Sequence, residues 1–115
     1  MTAAANQGSR FRDLSEPCRR LLRLMQDVNF GRITFRVRQG ERAPTGRWRT
    51  LRTVKLAGGE NGPRPEVASD DFELRKEHVA LFEQLARVRD GACVTIEVKH
   101  GLPFIIEIEQ DHQAA

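Results

Sequence analysis

Arginine is the residue type that stands out for chemistry in this chain. Arg32, Arg36, Arg38, Arg42, Arg47, Arg49, Arg52 and Lys55 crowd into one hairpin-sized stretch, and Trp48 sits between two of them. A guanidinium offers a planar fork of donors that matches phosphate oxygens, and an indole can stack on an unpaired base. A sheet face that combines the two is one way to hold a single strand of RNA or DNA. Arg32, Arg36, Arg38, Arg47, Trp48, Arg49 and Lys55 are therefore the candidate anion or nucleic-acid contacts. Only one aromatic is available among them, and no RNP, KH or helix-turn-helix signature accompanies it. The competing explanation is a solvated arginine-rich face, partly matched by acidic groups of the second half of the chain.

The remaining reactive residue types do not assemble into a catalytic pattern. His78, His100 and His112 are isolated, with no HxxxH, HxH or Cys/His cluster, so no metal site is expected and the three read as surface histidines. Ser9, Ser15 and Ser69 fall in tail, helix-cap and linker contexts without a nucleophile elbow, and tyrosine is absent. The glycines between Gly58 and Gly62 are not followed by Gly-Lys-Ser/Thr, which makes them a crossover loop rather than a phosphate cradle. Cys18 and Cys93 are far apart, without CxxC spacing, and read as reduced thiols. The expectation is a protein that is not an enzyme and has no catalytic residues, no cofactor, no metal and no small-molecule ligand.

What must position the arginines is a set of amphipathic elements. Ile33, Phe35 and Val37 alternate with Arg32, Thr34, Arg36 and Arg38, which in a strand gives one apolar face and one basic face. Before that strand, Ser15 and Pro17 suit a helix start, and Leu21, Leu24, Met25 and Val28 recur at helical spacing until Gly31 breaks the pattern. After Gln39-Gly40, Pro44 and Gly46 delay the partner strand, which is expected from Arg47 to Leu56 with Arg47, Arg49, Leu51, Thr53 and Lys55 toward solvent. Asp70 and Glu73 resemble a capping box for a second helix through Leu74, Leu81, Phe82, Leu85 and Val88. Val94, Ile96 and Val98 then alternate inward from Ala92 to Lys99. His100-Gly101 turns the chain, and Phe104, Ile106 and Ile108 are expected inward on a last strand, with Glu107 and Glu109 outward.

The two halves share a pattern. A shift of 61 residues carries Leu21 onto Phe82, Leu24 onto Leu85, Ile33 onto Val94, Phe35 onto Ile96, Val37 onto Val98 and Gly40 onto Gly101. This fits a tandem duplication, although convergent amphipathic patterning would give the same matches. The fold class expected is α+β: a two-layer α-β-β-α-β-β domain, with an antiparallel sheet of about four strands and two helices on one face. Residues 1–12 read as an unstructured lead-in, 13–56 as the first α-β-β unit, 57–69 as a linker, 70–110 as the second unit and 111–115 as a tail.

The segment from Leu22 through Asn29-Phe-Gly-Arg-Ile-Thr-Phe-Arg-Val-Arg-Gln-Gly-Glu41, with Leu51-Arg-Thr-Val-Lys-Leu56, resembles the small bacterial YezD family. The likeness covers residues 20–56 and rests on a helix that runs into an aromatic-Gly-x-Ile strand, an x-Gly-x turn and a basic closing strand. The Ala43–Gly46 insertion and the whole second half depart from that pattern. The resemblance implies the α-β-β fold and no activity, since the family has none assigned.

Charge narrows the partners. The 115 residues carry a net charge of +3, but residues 1–56 hold 13 Lys and Arg against 4 Asp and Glu, and the rest hold 6 against 12. Such a split suits an anionic partner for the first half, or contact between opposite-signed halves within or between chains. No run approaches a membrane span and the start lacks a signal-peptide pattern, so the cytoplasm is the default compartment. Two function classes follow: an interaction or accessory module that binds a protein partner or itself as a homodimer, and a single-strand nucleic-acid-binding module.

Overall fold

A computed structural model of the chain describes residues 10–37, 44–57 and 71–112. Its elements run α1 (Glu16–Val28), β1 (Gly31–Val37), β2 (Pro44–Arg52), α2 (Lys76–Leu85), β3 (Cys93–Lys99) and β4 (Leu102–Glu109). A single 3-10 turn, Phe11–Asp13, precedes them. The four strands form one antiparallel sheet in the order β2-β1-β3-β4, so each hairpin contributes one central and one edge strand. The protein is an α+β fold in the expected α-β-β-α-β-β order.

Alternation in β1 and β3 decides where the core lies. Ile33, Phe35, Val37, Val94, Ile96 and Val98 are all buried, and they meet Leu21, Leu22, Met25 and Val28 of α1 and Leu81 and Leu85 of α2 in one apolar cluster. Both helices therefore cover one face of the sheet and leave the other open. Helix α1 begins after Ser15 with Pro17 in its first turn, where a missing N–H is harmless, and ends at Asn29, whose φ of 66° turns the chain toward β1. Gly31 follows with a φ of 154°, and a Cβ there would lie 1.8 Å from the Leu51 carbonyl oxygen. Only glycine lets β1 and β2 pair at that point.

The 61-residue shift seen in the sequence reappears in space. Thr34 pairs with Thr95, its own equivalent, and their hydroxyls are 3.2 Å apart at the centre of the sheet. Across the helix layer the same relation recurs: Phe11 stacks on Phe72 with ring centroids 4.9 Å apart, and the Phe11 N–H donates to the Phe72 carbonyl at 2.8 Å. An element that pairs with its own copy lies on a two-fold axis. The axis runs through Thr34–Thr95, perpendicular to the sheet, and out between the helices through Phe11–Phe72.

Several expectations are corrected here. Phe11, placed in the lead-in, is buried and forms with Asp13 and Phe72 a strap across the helices, with the Arg23 guanidinium 4.4 Å above its ring. Helix α2 starts at Lys76, not at Asp70 (outside the described residues); Asp71 and Glu73 belong to the strap, where Glu73 bridges Arg10. His78 is not on the surface: only 2% exposed, its Nδ1 accepts the Arg75 N–H at 3.1 Å and its ring tilts against Phe72. Strand β2 begins at Pro44 rather than Arg47, which an edge strand allows because the missing donor can face outward. Phe104 is the extra residue of a bulge opposite Glu97–Val98, so the buried Pro103 takes the inward place expected of Phe104. Gly40, Arg38 and most of the linker lie outside the described residues. Cys18 and Cys93 are free thiols.

Two substitutions test this arrangement. Gly31→Ala is expected to destabilise the fold by at least about 1–3 kcal/mol in urea titrations, as overpacking against fixed backbone does. Asp71 accepts from Arg10 Nε at 2.5 Å and from the Arg12 N–H at 3.0 Å. The Arg10 hydrogen bond foremost holds the Asp71 carboxyl below its usual pKa. A depressed pKa contributes stability that is complete above the unfolded carboxylate value and is lost as pH falls below that value and through the lower folded one. Asp71→Asn should therefore be less stable than the parent near neutral pH, and thermal melts should show that difference closing as pH drops below the ordinary carboxylate range.

Candidate functional site

The open face of the sheet is built from the side chains that alternate with the core. Register places them in rows across β2, β1, β3 and β4. The central row is Arg49, Thr34, Thr95 and Glu107. One row toward the end of β2 lie Leu51, Arg32, Glu97 and Ile105. In the opposite direction Arg36 is paired with Cys93, which in turn pairs with Glu109. Arg47, one residue from half-buried Trp48, is exposed at the same end of β2. The β1–β2 half of the face thus carries arginine, and the β3–β4 half carries glutamate, with Lys99 at the end of β3 the exception.

Apolar groups interrupt both halves. Leu51 on β2 is 59% exposed, Ile105 on β4 is 44% exposed and Phe104 is 60% exposed. The bulge turns Phe104 out of the core, and the Lys99 ammonium sits 4.1 Å from its ring centroid. Among the described residues, Arg32, Arg49, Glu97 and Glu107 make no ion pair, although the Cα atoms of Arg32 and Glu97 are direct cross-strand partners. Arg36 is tied at one end, donating from Nη1 to the Gly91 carbonyl at 2.8 Å.

The sequence-level candidates are divided by this geometry. Arg32, Arg36 and Arg49 share the open face as the alternation predicts; Arg47 is exposed but lies in a break of the β1–β2 register between the Thr34 and Arg36 pairs. Trp48 does not share that face: it turns to the helix side, its ring centroid 6.1 Å from that of Phe35. There it lines an open cleft of about 520 Å³ with Arg20, Arg23, Leu24 and Asp27 of α1. Lys55 lies past the end of β2, and Arg38 is outside the described residues. Arg52 also leaves the basic row, pairing with Asp27 of α1 at 3.1 Å.

Sequence reasoning did not single out Leu51, Glu97, Phe104 or Ile105. Pro103 was the available signal, because a proline two residues past a tight turn cannot donate to the ladder and often marks a bulge. Among the described residues no three His, Cys, Asp or Glu side chains stand close enough to hold a metal ion. No described helix is long and apolar enough to cross a membrane. Compared with known proteins, the chain matches no family model, no curated protein and no solved structure.

The two sides of β2 predict opposite consequences. Replacing Arg47 and Arg49 together with Gln should leave the melting temperature unchanged or raise it, since it relieves repulsion between like charges on one strand. Trp48→Ala should instead lower stability by more than about 1 kcal/mol by removing part of the core boundary. Fluorescence of this sole tryptophan should shift to the red on unfolding of the parent.

Proposed function

We propose that this protein is a non-catalytic, self-associating interaction module of the cytoplasm, and that the open sheet face is its protein-binding surface. The observation that carries the reading is the exposure of Leu51, Phe104 and Ile105 on that face, among charges segregated by strand. Antiparallel sheets tolerate one solvated face, and that face then normally reads as polar. Large apolar side chains at both edges of it depart from that polar pattern and are what a contact surface would use. Membership of the YezD-like group, resting on residues 20–56, is part of the same proposal and adds no activity to it.

Binding of single-stranded nucleic acid is the second reading, favoured by the exposure of Arg32, Arg36 and Arg49 on one face, with Arg47 exposed beside them in the chain. Two features weigh against it. A strand laid across the sheet would leave the arginines for Glu97, Glu107 and Glu109 within two strand spacings, roughly 10 Å. The indole that would stack on a base is on the other side.

Light scattering during gel filtration separates the readings. The interaction module is expected at twice 13.1 kDa at near-physiological salt, with no retention of a single-stranded oligonucleotide. Mass that stays at one chain at every concentration, with oligonucleotide binding that collapses as salt rises, would replace it with the nucleic-acid reading.

A further inference from the structure

Resting on the interaction-module reading, we infer that the occupant of the open face is a second copy of the chain, docked face to face about a two-fold axis parallel to the strands. Two identical sheets stacked by their open faces have two simple choices of axis in the plane between them. An axis across the strands keeps each strand over its own counterpart. Arg49 would then face Arg49, Glu107 would face Glu107, and Arg32 would face Arg36, so three sets of like charges meet, while Glu97 would face Cys93.

An axis along the strands exchanges the two sides of the sheet and keeps the rows. Arg49 then faces Glu107 of the other copy, Arg32 faces Glu97, Thr34 faces Thr95, and Leu51 faces Ile105 with Phe104 beside it. Every pairing occurs twice. In the Arg49–Glu107 and Arg32–Glu97 rows the face is complementary to itself in this orientation, and the arginines and Glu107 meet like charge in the other. Opposite charge across an interface fixes register, and like-charge contact excludes alternatives. Packed sheets stand about 10 Å apart with strands nearly aligned, a spacing that facing Arg and Glu side chains span.

The area is sufficient for a reversible dimer. Four strands at ~4.8 Å spacing and seven to nine residues at ~3.3 Å rise give a face roughly 19 by 25 Å. Burying it on both copies removes on the order of 1,000 Å² from water, near the lower bound for a specific interface. Self-association should therefore depend on concentration over an accessible range.

Charge exchange tests the axis. Sedimentation equilibrium on the full-length parent, Arg49→Glu, Glu107→Arg and the double variant is the experiment, with circular dichroism to show each is folded. In the proposed dimer either single change creates two like-charge contacts and should weaken dimerisation at least about tenfold. The double change restores two opposite-charge contacts and should return the constant to within about threefold of the parent. A dimer indifferent to both single changes, or not rescued by the double one, overturns this docking while leaving self-association standing; pairing through the β4 edge would behave so. A parent that stays monomeric overturns the docking and the self-association reading together. If a charge reversal unfolds the chain, Arg49→Gln and Glu107→Gln take its place, each expected to weaken the dimer by about threefold.

Discussion

The antiparallel pairing of β1 with β3 is the constraint on which everything else rests. It brings Ile33 beside Ile96 and Phe35 beside Val94 at the centre of the sheet, all of them essentially out of solvent. Each helix precedes the central strand of its own half. Once β1 and β3 are paired, both helices must therefore lie over the same face to bury the same row. The strap follows from that placement: with the helices side by side, the segments leading into them meet, and Phe11 and Phe72 close the top of the core. Disrupting the central pair would split the sheet between the two hairpins, because no other described strand joins them.

One side of the sheet is consequently spent on cohesion and the other is left with the charges. On the cohesive side, the buried His78 ring takes the Arg75 N–H at the start of α2. On the open side, no described partner takes up Arg32, Arg49, Glu97 or Glu107, and apolar groups stand beside them. A face built this way is indifferent to most anions over its whole extent, because half of it repels them. It suits a partner that is itself divided in charge.

Much of this was legible in the sequence because the pattern was strong where the structure is regular. Alternation in Arg32–Val37 and Val94–Val98 gave the central strands and their buried residues, and the helical spacing of Leu21, Met25 and Val28 gave α1. Failures cluster where local signals were outweighed by long-range contact. Asp70 and Glu73 looked like a cap, but the acidic group that matters, Asp71, answers to Arg10 across the dyad. Phe104 fitted the inward parity until a bulge broke the count. Trp48 was correctly assigned opposite parity to Arg47 and Arg49, yet its neighbours in sequence suggested a shared site that the pleat forbids. The open-face pairing of arginine with glutamate could not be read at all without knowing the strand order, since Arg32 and Glu97 are far apart in the chain.

The internal dyad has a consequence for charge that a dimer of half-chains could not reach. Where two identical α-β-β units assemble symmetrically, equivalent positions must carry identical residues, and the composite face has no preferred direction. Joining the units in one polypeptide releases that restriction. Arg36 and Glu97 occupy equivalent positions under the 61-residue shift, and Arg49 and Glu107 flank Thr34 and Thr95 in the same way. The backbone keeps its symmetry while the side chains break it with opposite sign. What results is a polarised surface, with a lateral electrostatic gradient running from β2 to β4 on a scaffold that has none.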